Sequence, residues 1–152
     1  MSNDSYKSES ICAISSPPGI GGVSLIRISG PDSFSIVEKI FSKSLKDTSG
    51  YQVLYGKIIE KKQIIDDVIV AVFKNPHSFT GENTVEINCH GSTFIQQKII
   101  ELLINNGARL ALPGEFSKRA FLNGKLDLSQ TEAIADLINS KSSAAHEIAI
   151  KQ

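Results

Sequence analysis

The stretch Phe79–His90, FTGENTVEINCH, followed by Gly91, decides the fold. It opens with the glycine and asparagine of a turn, and from Thr84 onward polar and apolar side chains alternate. This period of two predicts a strand with one face in a core, which ends at the start of a helix. The other face carries Glu86, Asn88 and His90. Those polar groups form either a solvated sheet surface or a recognition surface for a ligand rich in hydrogen-bonding groups.

Composition places the chain among ordinary globular proteins. Its 152 residues suit one domain, or one domain and a piece of another. Lys+Arg and Asp+Glu both number 16, so the chain lacks the basic charge of a protein that binds nucleic acid by bulk electrostatics. The two cysteines lie far apart in the sequence, so neither a disulfide framework nor a metal site is predicted. No signal peptide or membrane-spanning run is visible, which predicts a cytoplasmic protein without membrane association.

The segments before the central stretch read as strands, a helix and a hairpin. Strands are predicted at 11–14 and 23–29, a helix from an Asp32 N-cap to about Phe41, and a hairpin of 51–59 with 66–73. The glycine-rich loop at 15–22 lacks the spacing of a phosphate-binding or dinucleotide-binding loop, so close backbone packing is the preferred interpretation.

Arg27 lies in the second of these strands. That strand has apolar residues on both faces, which predicts a central strand covered on both sides. A charge in such a position must have a partner, because an unpaired buried charge is very costly. The partner is either a structural salt bridge or a carboxylate or carbonyl group of a ligand, and the residues alone leave both open.

Helices dominate the C-terminal third. The periodicity predicts a helix at 92–106, a short strand at 109–112 and a helix at 116–123. A capping box at Ser129–Glu132 then begins a long helix with an apolar stripe that reaches Gln152. Such a helix needs a partner, either in a larger protein from which the chain was cut or in a second subunit.

These elements predict an α+β fold with a mixed sheet covered by helices, followed by the first helix of an α-helical domain. The domain organisation predicted is 1–124 and 125–152.

Three motifs then carry a resemblance to a known family. They are PPGIGGVSLIRISG at 17–30, FTGENTVEINCHG at 79–91 and PGEFSKRAFLNGKLDLSQTEAIADLI at 113–138. In this order they resemble the N-terminal region of the bacterial tRNA-modification GTPases of the TrmE/MnmE family, over residues 11 to about 138.

The resemblance implies a folate-binding domain of the glycine-cleavage T-protein type that homodimerises. It implies binding of a tetrahydrofolate derivative, 5-formyl or 5,10-methylene, as one-carbon donor. In the whole family protein, a GTPase domain with GTP, Mg²⁺ and K⁺ is inserted in a helical domain. With the flavoprotein MnmG (GidA) it places a carboxymethylaminomethyl-type modification on the wobble uridine of tRNA. The GTPase motifs are absent from this chain, which is therefore expected neither to hydrolyse GTP nor to modify tRNA alone.

The family's folate-contacting arginine, glutamate and lysine fall on Arg27, Glu86 and Lys125. A carboxylate suits the adjacent N–H and amino groups of a pterin, and a lysine suits an anionic tail or the formyl region. Asn88 and His90 are secondary candidates, and no catalytic residue is predicted. The alternative is a dimerisation scaffold with a vestigial folate site; a free-standing folate-dependent methyltransferase is disfavoured by the open-ended last helix.

Overall fold

The computed structural model describes residues 9–17, 19–45, 51–134 and 136. They belong to two compact units, one of residues up to 78 with 82–111, the other of 79–81 with residues from 112 onward. The domain boundary predicted after residue 124 stays a prediction. The predicted long helix beyond 136, with its apolar stripe, lies outside the described residues.

The first unit is a six-stranded mixed sheet with two helices, and the predicted α+β fold is confirmed. Its elements are β1 (Ile11–Ile14), β2 (Gly21–Ser29), α1 (Ser33–Glu38), β3 (Gln52–Glu60), β4 (Gln63–Phe73), β5 (Thr84–Gly91), α2 (Thr93–Asn105) and β6 (Arg109–Leu110). The strand order is β3-β4-β5-β2-β1-β6, in which only β1 and β6 are parallel among these pairs. β2, which was predicted to be a central strand, lies inside the sheet, and so does β5.

One face of the sheet carries the core. The alternation in β5 buries Val85, Ile87 and Cys89, which are 0%, 0% and 3% exposed. They pack with apolar residues of β2 and β4 and of both helices, among them Ile36, Val37, Ile99 and Leu103. This one-sided burial is what a period-two strand facing a helical layer requires.

The opposite surface of the sheet, here called the open face, is half-buried or exposed. It includes Val23, Leu25 and Arg27 of β2, Val53 and Tyr55 of β3, Ile69 of β4, and Glu86, Asn88 and His90 of β5. The prediction that β2 is covered on both faces is therefore wrong for this unit, since Val23 is 66% exposed. The apolar residues of β2 on this side line an open surface instead of contacting a second layer.

Helix α1 is shorter than predicted, because strand pairing takes over at its end. It stops at Glu38, and the chain at Phe41 forms a bridge with Ile58 at the edge of β3. The N–H of Ile59 donates to the Ile40 carbonyl at 2.8 Å. Asp32 occupies the N-cap position as predicted, but its side chain makes no capping hydrogen bond. Strand β6 is also shorter than predicted, with two residues instead of four.

The second unit contains helix α3 (Glu115–Leu122) and a further helical segment at 128–134. The predicted Glu115–Arg119 pair is present, buried, at 3.6 Å. The capping box predicted at Ser129 is wrong, because the reciprocal bonds join Asp127 and Gln130. The Gln130 N–H donates to Asp127 Oδ1 at 2.7 Å, and the Asp127 N–H donates to Gln130 Oε1 at 2.9 Å.

Across the described ranges, every helix is too short or too polar to cross a membrane.

The β3–β4 turn offers a test of backbone strain. Lys61 and Lys62 form this two-residue turn with φ of 47° and 68°, a left-handed conformation that suits Asn-Gly. We expect Lys61→Asn with Lys62→Gly to raise the free energy of unfolding by several tenths to about 1 kcal/mol, measured by urea denaturation. Lys74→Asn, which removes a lysine without positive φ, is the control. A double variant no more stable than the control would show that the left-handed backbone at Lys61 and Lys62 does not destabilise the fold.

A close backbone approach where β5 ends gives a second test. A Cβ on Gly91 would lie 2.0 Å from the Gly21 carbonyl oxygen, a distance that no side chain tolerates. We expect Gly91→Ala to lower the free energy of unfolding by about 1–3 kcal/mol, as overpacking does. Gly22→Ala, where a Cβ meets nothing within 4 Å, is the matched control. Equal stability of the two variants would show that the backbones do not approach as described.

Candidate functional site

The first two predicted site residues, Arg27 and Glu86, lie side by side on the open face. They are direct partners in the antiparallel β2–β5 ladder. Arg27 donates to Glu86 Oε1 from Nε at 3.2 Å and from Nη2 at 3.1 Å. Each side chain is 21% exposed, so the pair is partly shielded from water but accessible from one side.

The sequence left two kinds of partner open for Arg27, a carboxylate of the protein itself or a group of a ligand. The structure supplies the salt bridge, so the guanidinium is satisfied within the fold. The pair can also contact a ligand, because a carboxylate has about four lone-pair positions and a guanidinium has five N–H donors. Glu86 and Arg27 can therefore bind each other and a third group together.

Asn88 and His90 continue the same row of side chains along β5. Asn88 is half-buried and pairs with Leu25 and Ile69 in the neighbouring strands, and its side-chain amide is 3.4 Å from the Ile69 carbonyl. Both residues line a cavity of about 590 Å³ on the open face. Its other lining residues are Gly22, Val23, Tyr55, Asp67, Val68, Ile69 and Cys89. The cavity thus combines apolar walls with an amide, a carboxylate and an imidazole, the mixture typical of small-molecule sites.

His90 is held by a residue that the sequence analysis did not single out. Asp66 of β4 accepts the His90 backbone N–H at 2.8 Å on Oδ2 and lies 2.7 Å from ring Nδ1 through Oδ1. The Asp66 side chain is 7% exposed, whereas that of His90 is 68% exposed. A buried carboxylate therefore fixes an exposed imidazole.

A signal for Asp66 was nevertheless present in the sequence. In IIDDVIVAVF, Asp66 shares the alternate positions of Val68, Val70 and Val72, all in the core. A carboxylate at a core position of a strand needs hydrogen-bond donors, and this need marks it as a residue with a specific partner.

Lys125, the third predicted folate residue, belongs to the second unit. It follows α3 directly, and its backbone N–H donates to the Ala120 carbonyl at 2.8 Å. The residue is exposed, and its side chain passes Gly81, whose Cβ would lie 3.4 Å from Lys125 Cγ. The structure thus brings Arg27 and Glu86 together in the first unit and leaves Lys125 in the second.

Thiol and metal chemistry find no support among the described residues. Burial raises the pKa of the Cys12 thiol to about 11. Burial, and then the nearby Asp66 carboxylate, raises the pKa of Cys89 to about 11. Both groups therefore remain protonated thiols at neutral pH, unsuited to nucleophilic attack or metal binding. The described ranges contain no cluster of three His, Cys, Asp or Glu residues that could hold a metal ion.

Comparison with known proteins identifies relatives of the chain. A family model described as "GTP-binding protein TrmE N-terminus" matches residues 10–125. The chain is 55% identical over 148 residues to the tRNA modification GTPase MnmE of Parabacteroides distasonis, covering 93% of this chain and 32% of the relative. It is 51% identical over 153 residues to that of Porphyromonas gingivalis, and the match covers 97% of this chain and 32% of the relative. It is 50% identical over 151 residues to the tRNA modification GTPase MnmE of Acetivibrio thermocellus, and the match covers 97% of this chain and 33% of the relative.

The chain spans about a third of the length of the curated relatives it matches. The family model covers both Arg27 and Glu86 and ends on Lys125. With this match over most of the chain, and relatives at half identity or more, the chain belongs to the TrmE N-terminal family.

Proposed function

We propose that the chain is the tetrahydrofolate-binding and homodimerising N-terminal part of a GTPase that modifies the wobble uridine of tRNA. The relatives' names, tRNA modification GTPase, support the parent activity. The observation that carries the folate proposal is the Arg27–Glu86 pair, placed on an accessible sheet surface beside a cavity of about 590 Å³.

The chemistry of this pair fits a pterin. A pterin presents a ring N–H and an exocyclic amino group side by side, and a carboxylate such as Glu86 accepts both. Arg27 orients Glu86 through two hydrogen bonds, and a guanidinium suits a ring or formyl oxygen of a 5-formyl or 5,10-methylene derivative. Asn88 adds a donor and an acceptor two residues along β5. Lys125 is proposed to contact the anionic tail or the formyl region as a mobile point charge.

The remaining steps of the parent reaction belong to parts of the relatives that this chain does not span. We propose that GTP, Mg²⁺ and K⁺ bind there, and that the flavoprotein MnmG acts with the whole dimer on tRNA in the cytoplasm. In this proposal the chain positions a one-carbon donor and contributes no catalytic residue to GTP hydrolysis.

Calorimetric titration with 5-formyltetrahydrofolate tests the folate site. We expect saturable binding by the chain and a loss of about tenfold or more in affinity for Arg27→Ala or Glu86→Gln. Hydrogen bonds to charged groups contribute about 1.5–3 kcal/mol, and 1.4 kcal/mol corresponds to a factor of ten.

Arg109→Ala is the matched control, since Arg109 also forms an ion pair within the same unit, with Glu9 at 2.9 Å, but lies on β6. Wild-type affinity in the control shows that losing an arginine ion pair is harmless by itself. Wild-type affinity in Arg27→Ala would contradict the proposed site.

A specific observation favours the second candidate function, a dimerisation scaffold. On the open face Val23, Val53, Tyr55 and Ile69 are 66%, 70%, 60% and 47% exposed. Large apolar side chains gathered on one surface are typical of a surface covered by a protein partner. Folate binding and dimerisation are compatible on such a surface. If the titration shows no folate binding, the dimerisation scaffold is the function that we propose.

Sedimentation velocity tests the dimer and its surface. We expect the wild-type chain to sediment as a dimer and Tyr55→Asp to sediment as a monomer, because a carboxylate cannot be buried unpaired in an apolar interface. Phe94→Asp is the control, since Phe94 is an equally exposed aromatic residue, at 69%, on α2 of the helical layer. A Tyr55→Asp chain that remains dimeric would remove the open face as the dimer surface.

A further inference from the structure

The arrangement of Asp66 and His90 has no role in the function proposed so far. Both oxygens of the buried Asp66 carboxylate interact with the same residue, one with the His90 backbone N–H and the other with ring Nδ1. An ionised carboxylate only accepts hydrogen bonds, so the ring proton between them lies on Nδ1. The neutral imidazole then presents the lone pair of Nε2 away from Asp66, and the charged imidazole presents an Nε2–H.

Packing alone does not account for this pair. Asp66 occupies a core position that alternates with three buried valines, where an apolar side chain would avoid the desolvation of a carboxylate. The imidazole that it holds is mostly exposed and so contributes little burial in return. What the carboxylate does achieve is a fixed orientation and a fixed tautomer for a ring that faces solvent.

The ring lines a cavity where a ligand can reach it. His90 shares the cavity of about 590 Å³ with Asn88, Tyr55 and Asp67. Glu86 lies four residues away on the same strand, about 13 Å at ~3.3 Å per residue. An elongated ligand anchored at Glu86 and lying along β5 would pass Asn88 and reach His90.

We propose that Asp66 and His90 form an acid–base dyad, in which Nε2 of His90 donates a proton to an acceptor oxygen or nitrogen of a ligand in this cavity. Asp66 is the positioning residue: its two oxygens hold the His90 backbone N–H and ring Nδ1, and so orient the ring. The proton leaves Nε2, the acceptor's lone pair takes it, and the ring returns to the neutral Nδ1–H tautomer. If the ligand is the proposed folate, this assigns a proton donor to the one-carbon carrier, an assignment that rests on the proposed function.

The charged and titratable groups around the ring define what else could respond to pH. From β4 these are Asp66 and Asp67, the latter paired with Lys57 of β3. Tyr55 of β3 lines the same cavity, and β2 presents the apolar Val23 as the register partner of His90. On β5 itself the neighbour is Cys89, whose thiol pKa is about 11, and Glu86 lies four residues away along the strand. His90 is the imidazole in this set, and the other groups are carboxylates, an amine, a thiol and a phenol.

The first test needs no ligand. Diethylpyrocarbonate acylates the free lone pair of neutral imidazoles, and peptide mass spectrometry of the treated chain gives a rate for each histidine. At a pH high enough for both imidazoles to be neutral, we expect His90 to react several-fold faster than His77, an exposed loop histidine, because the Asp66 carboxylate increases the nucleophilicity of Nε2. We expect Asp66→Asn to reduce the His90 rate to that of His77. A His90 no more reactive than His77 in the wild-type chain would overturn the dyad without any variant.

The second test measures the affinity for 5-formyltetrahydrofolate from pH 6 to 8.5. If Nε2–H donates to the ligand, affinity falls as pH rises, because the ring loses the proton that it donates. We expect His90→Gln to bind with a flat pH profile and the control His77→Gln to keep the wild-type profile. Identical profiles for His90→Gln and the wild type would overturn the proposal even if the acylation result held.

The two tests separate this inference from the proposed function. Fast, Asp66-dependent acylation without folate binding at any pH would support the dyad and contradict the folate proposal. Folate binding that Arg27→Ala abolishes, with slow acylation of His90, would support the folate site and contradict the dyad.

Discussion

The antiparallel pairing of β2 with β5 is the constraint on which the open face depends. Its register sets Arg27 opposite Glu86 and Leu25 opposite Asn88, and it places the row of polar side chains away from the core. A shift of one residue would bury the charged row and expose Ile87, so the hydrophobic alternation enforces the ion pair as well as the core. The contact of Gly21 with Gly91 ends the same ladder, where the chain turns into α2.

Strand β4 adds a constraint from the other side. Its register with β5 pairs Ile69 with Asn88, and the ladder stops before His90. At that point the His90 N–H has no strand carbonyl opposite it, and Asp66 supplies the acceptor instead. The carboxylate therefore completes the hydrogen bonding of a strand end as well as holding the ring. The Asp66 side chain thus both accepts the His90 backbone N–H and orients the His90 ring.

The sequence predicted most clearly what depends on periodicity. The alternation in 84–90, the 3.6-residue repeat of α2, and the hairpin around Lys61 are local patterns, and all are confirmed. The end of α1 was misplaced because Phe41 pairs with Ile58, a contact between residues distant in sequence. The capping box was misplaced by two residues because Asp127–Gln130 and Ser129–Glu132 both have acceptable spacing, and only the backbone distinguishes them.

For the site, the sequence predicted individual residues but not which side chains contact one another. Arg27 and Glu86 were singled out separately, and their pairing follows from a register that no local pattern specifies. The core position of Asp66 in its strand was visible in the sequence, but its partner His90 is identified only when β4 and β5 lie together.

The burial of the two thiols has a practical consequence. The chain has two cysteines in all, Cys12 and Cys89, and both are buried and remain protonated at neutral pH. Maleimides and spin labels react with exposed thiolates, so the native chain offers them almost no background. A cysteine introduced on the surface therefore gives a site-specific probe without removal of the native residues, and a pair of such cysteines allows a distance between two labels to be measured.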